Sequence, residues 1–221
     1  MFQGTQDEFA HRAVGALQRA PNVSNLDICN FSFCPRQELP WPGSDQIPNL
    51  SILHLHRFWI SWASPLSQNL IRLSLEFEPP HVPSERTSIE TFLTALANSP
   101  DLEILNLAYA GPDPLNGYQD KCDVVVQLGK LRELSLEFDD PSTVGSILSH
   151  IGYPEATKLT VYILVDEDTD LSETIPRVLP HRNTQTIQHF RNSTALTICL
   201  GGTPQFSTDN LLIRFLGPRS V

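Results

Sequence analysis

Pro100-Asp101-Leu102-Glu103-Ile104-Leu105-Asn106-Leu107 is the stretch that decides the fold. An apolar residue, Leu102, is followed three and five positions later by Leu105 and Leu107. Alternation over the last residues is the period of a half-buried strand, whose side chains point to opposite faces in turn. Pro100 cannot continue a helix and pushes its predecessor towards extended backbone, so it marks a change from helix to strand. Moving outward, the same phrase recurs as Val23-Leu26-Ile28, Leu50-Leu53-Leu55, Leu70-Leu73-Leu75, Leu131-Leu134-Leu136 and Ala156-Leu159-Val161, with a weaker copy at Ser193-Leu196-Ile198. Proline precedes the phrase by two places at Pro21, Pro48 and Pro154 as well. The central leucines, from Leu26 to Leu196, lie on average about 28 residues apart, a period that signals stacked units.

The stretches between phrases predict helices. Thr87 and Glu90 are spaced as a capping box, and Ile89, Phe92, Leu93 and Leu96 follow with helical spacing. Val144, Ile147, Leu148 and Ile151 repeat that spacing behind Ser142 and Thr143, as do Phe9, Ala13, Val14 and Leu17. The interval from Leu53 to Leu73 is too short for a good helix, and that from Leu159 to Leu196 holds a long insertion. Strands stack about 4.8 Å apart and helices about 8–10 Å apart, so a row of such units must bend with its strands inside.

The expected fold is α/β: a leucine-rich-repeat-like solenoid, an irregular horseshoe with parallel concave strands and convex helices or loops. One domain covers residues 1–221, with a partial N-terminal repeat helix in 1–20, repeats over 21–165, and an insertion followed by a capping hairpin over 166–221. The hairpin is expected from Ala195–Leu200 and Leu211–Phe215, closing an edge that would otherwise invite pairing. The chain opens inside a repeat, since residues 16–28 align in kind with residues 95–107, which suggests a missing N-terminal portion.

Proline, then Asn, Asp or Glu, then Leu-x-x-Leu-x-Leu, with irregular spacing and helical outer segments, resembles the repeat region of F-box/leucine-rich-repeat proteins, especially divergent fungal ones. The likeness runs from about residue 9 to 200. It implies a substrate-recognition role in a ubiquitin ligase adaptor, where the repeats hold a target and an F-box recruits the ligase scaffold. Two departures stand out. Where regular repeats carry Asn or Cys, this chain has Phe31, Phe58, Glu78, Ala110, Asp139 and Leu164. An F-box is not visible either: its opening Leu-Pro is echoed at Leu39-Pro40, where Pro42 and Gly43 forbid the helix that should follow.

Composition narrows the function classes. With 40% hydrophobic residues, 18% charged residues and a net charge of -10, the chain is globular and acidic. Neutralising phosphates requires a basic face, so nucleic acid is not the expected partner. No run approaches the roughly 18 apolar residues that span a bilayer, and no membrane association is expected. The N-terminus lacks the pattern of a secretory signal, which points to an intracellular protein, cytoplasmic or nuclear. The four cysteines, Cys29, Cys34, Cys122 and Cys199, are expected as free thiols. On the same reasoning the sequons at Asn22, Asn30, Asn49 and Asn192 carry no glycan.

If the leucines face inward, the residues between them face the groove. The partner-binding candidates are therefore Asn25 and Asp27; His54 and His56; Arg72, Ser74 and Glu76; Asn106; Glu133, Ser135 and Glu137; and Lys158 and Tyr162. Cys29, Ile52, Ile104, Ala108 and Thr160 fill the same columns. His54-x-His56 has a spacing that could place two imidazoles on one strand face for a metal, with Asp27 or Glu76 adding a ligand. Two exposed groove histidines explain it more simply, because zinc needs three or four ligands, and no cofactor is expected. Asp166-Glu167-Asp168-Thr169-Asp170 opens like a calcium loop, but Leu171 and Arg177 stand where Gly and Glu are required, so it reads as a solvated acidic loop. Trp41, Phe58, Trp59 and Trp62 read as packing beneath a helix-poor connection rather than as an exposed hot spot. GxSxG, P-loop, GxGxxG and HExxH patterns are all missing. The expectation is a non-catalytic protein-interaction module with an unspecified protein target; the alternative is an orphan or truncated structural repeat protein, and an enzyme ranks last.

Overall fold

The computed structural model describes residues 15, 20, 22–29, 47–58, 60–77, 87–112, 124–164, 171–178, 195–202 and 209–216. Its centre is an open sheet in which β1 (Asn25–Cys29), β2 (Ile52–His56), β3 (Arg72–Glu76), β4 (Ile104–Ala108), β6 (Glu133–Phe138) and β8 (Lys158–Leu164) run parallel in chain order. Two short strands between them, β5 (Val126–Gln127) and β7 (Ile151–Gly152), pair with each other in a separate parallel sheet. The leucine phrases are therefore parallel strands.

The register repeats without slippage. Leu26, Leu53, Leu73, Leu105, Leu134 and Leu159 form one row across the sheet, and Ile28, Leu55, Leu75, Leu107, Leu136 and Val161 form the next. Apart from Ile28 at the edge, every member of the two rows is buried. Burying one such side chain stabilises by roughly 1.5–3 kcal/mol, and a one-residue slip would turn a whole row to water.

Turn chemistry explains the prolines. Leu50 N–H donates to the Ile47 carbonyl (3.2 Å) and Leu102 N–H to the Ser99 carbonyl (3.1 Å), closing turns whose second residues are Pro48 and Pro100. Proline presets that position. Val23 N–H donates to the Ala20 carbonyl (3.1 Å) across the equivalent turn. Each turn leads into a shared acceptor: the Ser24 carbonyl receives both Ser51 and Ile52 N–H, Ser51 receives Ile71 and Arg72, Ile71 receives Glu103 and Ile104, and Glu103 receives Arg132 and Glu133. One carbonyl per unit thus fixes the start of the next strand.

Two units depart from the phrase. In the last, Ala156 is exposed and Thr157 is buried in its place, with its hydroxyl donating to the Leu131 carbonyl (2.7 Å). The turn there begins at Pro154 and closes on Thr157 N–H, one residue later than elsewhere, so the inward position shifts with it. Before β3, where the interval is short, Pro65–Ser67 forms one 3-10 turn and Asn69 takes a left-handed conformation (φ 58°), which Asn tolerates.

Helices α1 (Ile89–Ala97), α2 (Pro141–His150) and α3 (Leu171–Val178) lie outside the sheet. α1 buries Phe92, Leu93, Ala95 and Leu96, following the predicted stripe. Its cap differs from the expected Thr87–Glu90 box. Ser88 is the cap, accepting Thr91 N–H at 3.3 Å, and Glu90 is an exposed first-turn residue. α2 likewise starts one residue earlier than Ser142: Asp140 accepts Ser142 and Thr143 N–H, and Pro141 occupies the first position, where its missing N–H costs nothing. Gly145 of α2 lets the Arg177 carbonyl of α3 approach so closely that a Cβ would overlap it. The candidate helix around Phe9–Leu17 lies outside the described residues except for Gly15, which is helical, and so do the tryptophans Trp41 and Trp59 and the acidic run at 166–170.

At the far end the chain reverses. β9 (Ala195–Gly202) and β10 (Asp209–Leu216) form the expected hairpin, with β10 antiparallel to β8 and β9 outermost. The stretch around Leu196 is therefore an antiparallel strand and does not extend the parallel series.

Candidate interaction surface

The residues between the leucines share the opposite face of the sheet. Register places Asn25, Ile52, Arg72, Ile104, Glu133 and Lys158 in one row. Asp27, His54, Ser74, Asn106, Ser135 and Thr160 form the second, and Cys29, His56, Glu76, Ala108, Glu137 and Tyr162 the third. Every predicted groove residue falls in these rows, and each is exposed or half-buried. Thr160 is the departure: it lies in the second row but is only 5% exposed, flanked by β6 on one side and β10 on the other.

Parallel register brings distant side chains into contact. Asp27 Oδ1 lies 3.4 Å from His54 Nδ1, and Glu76 Oε1 lies 3.4 Å from His54 Nε2. The Glu76 Oε2 atom lies 3.5 Å from His56 Nδ1, and Ser74 Oγ donates to Glu76 Oε1 at 2.9 Å. His54 Nε2 faces Glu76 but makes no hydrogen bond of good geometry, so that contact is one of charge and proximity. Cys29 Sγ donates to Asp27 Oδ1 at 3.5 Å. Desolvation, that hydrogen bond and the charges of Asp27 and Glu76 raise the Cys29 thiol above its ordinary value, which keeps it protonated and unreactive at neutral pH. Among the described residues, no group of three His, Cys, Asp or Glu side chains has the arrangement to hold a metal ion.

The opposite end of the face is simpler. Lys158 Nζ donates to Glu133 Oε1 at 2.7 Å, a cross-strand pair between β8 and β6. Between the ends run Ser74, Asn106, Ser135 and Ala108, small or uncharged residues in the middle of the face. A separate shallow cleft of about 310 Å³ opens where the strands begin, bordered by Glu103, Lys130, Arg132 and Pro154. Its cations are already paired, Lys130 with Asp101 (2.7 Å) and Arg132 with Glu103 (3.7 Å).

Aromatic residues support the sheet from within. Phe58 and Trp62 are buried, and Trp62 meets Phe92 of α1 edge to face with centroids 4.7 Å apart. Sequence reasoning missed the buried hydroxyls of Ser99 and Thr157, which tie adjacent units together. Their only signal was a polar residue at or beside an apolar phrase position. No helix among the described residues is long and apolar enough to cross a membrane. No protein-family model, curated protein or solved structure matches the chain.

Proposed function

We propose that this chain is a leucine-rich-repeat-like solenoid, an irregular horseshoe, whose polar inner sheet face binds another protein and catalyses no reaction. One observation carries the reading: six strands in unbroken register carry a mainly polar set of residues, from Asn25 to Tyr162, on a single face backed by a leucine core. Such a face offers shape and charge to a partner and asks only for positioning. The resemblance of the phrase to F-box/leucine-rich-repeat proteins makes substrate recognition for an intracellular ubiquitin ligase adaptor the specific form of the proposal.

Affinity capture from cell extract tests it with three proteins: the unmodified chain, a Ser74→Arg/Ser135→Arg variant that crowds the middle of this face, and a Thr94→Arg variant on the exposed side of α1. The expected result is a reproducible partner retained by the first and third and lost by the second, with circular dichroism unchanged. Capture indifferent to the Ser74→Arg/Ser135→Arg variant rejects the surface. Co-purification of ligase scaffold components distinguishes the adaptor from a structural repeat protein.

A further inference from the structure

We propose that the β1–β3 end of this face holds a basic segment of the partner, and that acidification weakens the hold. The proposal rests on the reading of the polar face as a binding surface. Two carboxylates, Asp27 and Glu76, face one imidazole from neighbouring strands, each at 3.4 Å, and the second imidazole, His56, lies 3.5 Å from Glu76. A neutral imidazole has one N–H. A neutral His54 can therefore turn its hydrogen towards Asp27 or towards Glu76 and turns a lone pair to the other. A further positive charge relieves that mismatch, and it has two sources: a second proton on the ring, or a guanidinium or ammonium group brought by a partner.

Among the described residues, no Lys or Arg is paired with Asp27 or Glu76. From β1 come Asp27 and Cys29; from β3 come Ser74, Glu76 and, one row away, Arg72; Arg57, just beyond β2, has partners of its own. With both rings neutral the four-residue cluster carries two negative charges, and with both protonated it carries none. Asp27 is 60% exposed and Glu76 38%, so both carboxylates are within reach of an incoming side chain. Proton and basic side chain thus compete for the same carboxylates, and by linkage each weakens the other. The chain's net charge of -10 favours approach of such a segment.

Fluorescence anisotropy with the full chain tests this, using a labelled peptide of alternating Arg and Gly and its Glu–Gly counterpart at constant ionic strength. Measurements at about pH 7.5 and about pH 5.5 lie either side of the middle of the imidazole range. The Arg peptide should bind, the Glu peptide should not, and affinity should fall about three- to tenfold at the lower pH, as expected for partly exposed charge pairs. Glu76→Gln and Asp27→Asn should each weaken binding, whereas Glu90→Gln, the same change in net charge on α1, should not. The His54→Gln/His56→Gln variant should lose the pH dependence. Equal binding of the two peptides, equal effects of Glu76→Gln and Glu90→Gln, or a pH dependence that survives in the double histidine variant would overturn the proposal. Partner capture lost in the Ser74→Arg/Ser135→Arg variant without any binding of the Arg peptide would leave the surface standing and remove its basic ligand.

Discussion

Ser99 and Ser67 lie 32 positions apart and are joined by a hydrogen bond of 3.0 Å, from the Ser99 hydroxyl to the Ser67 carbonyl. The same oxygen accepts Leu70 N–H at 3.1 Å. Ser99 is buried, so its hydroxyl satisfies two backbone groups that water cannot reach. Ser99→Ala leaves both unpartnered at about 1–3 kcal/mol per group. We expect urea denaturation to show a loss of about 2–4 kcal/mol; a loss well below 1 kcal/mol would mean that the turn before β3 finds other partners.

Leu105 and Ser135 sit on opposite faces of the same sheet, one buried and one half-buried. Leu105→Ala should cost about 2–5 kcal/mol, because the closely packed row cannot collapse around the cavity. Ser135→Ala should cost less than about 1 kcal/mol. Thermal melts of the two variants check the assignment of faces, and comparable losses would contradict it.

Tyr109 is buried, left-handed (φ 55°), and its hydroxyl has no hydrogen-bond partner among the described residues. Burial first, then the charges of Glu137 and Asp139, raises its hydroxyl well above the ordinary tyrosine value of 10. A raised folded value means that the associated stability is present below the unfolded value and is lost as pH climbs from about 10 upward. Tyr109→Phe should remove part of the alkaline loss and leave stability at neutral pH equal or slightly higher. Parallel alkaline unfolding curves for the two proteins would refute this.

Gly145 and the Arg177 carbonyl are in such close approach that a side chain on Gly145 has no room. Gly145→Ala should displace α3 from α2 at about 1–3 kcal/mol, as overpacking does. Because α3 lies outside the sheet, the expected result is faster proteolysis within 171–178 and little change in hydrogen exchange over β2–β4.

How much of this was legible depended on what repeats. The leucine rows follow from alternation and period, and the polar face follows from the rows, so His54, Glu76 and Glu133 were assignable to a shared surface from sequence. Their contacts needed the register, since Asp27, His54 and Glu76 become neighbours only when three strands align without a slip. Helix caps were displaced by one or two residues because Ser88 competed with Thr87, and Asp140 with Ser142, as the capping group. Thr157 escaped notice because it follows an alanine that fits the phrase better. In the structure the turn from Pro154 carries the chain one residue further. Ser99 escaped because a serine before proline reads as turn chemistry, and both partners of its hydroxyl lie in another unit.

The reversal of direction at β10 has a consequence for how such a chain can lengthen. Each parallel strand offers the following unit a ready carbonyl at its start, so duplicating a unit anywhere between β1 and β8 lays a new strand beside an old one with the bonding pattern intact. Beyond β8 the neighbour is antiparallel, and a duplicated unit would meet the wrong spacing of donors and acceptors. Gain or loss of repeats over evolutionary time should therefore concentrate upstream of the hairpin, leaving the terminal piece constant while the middle varies in number.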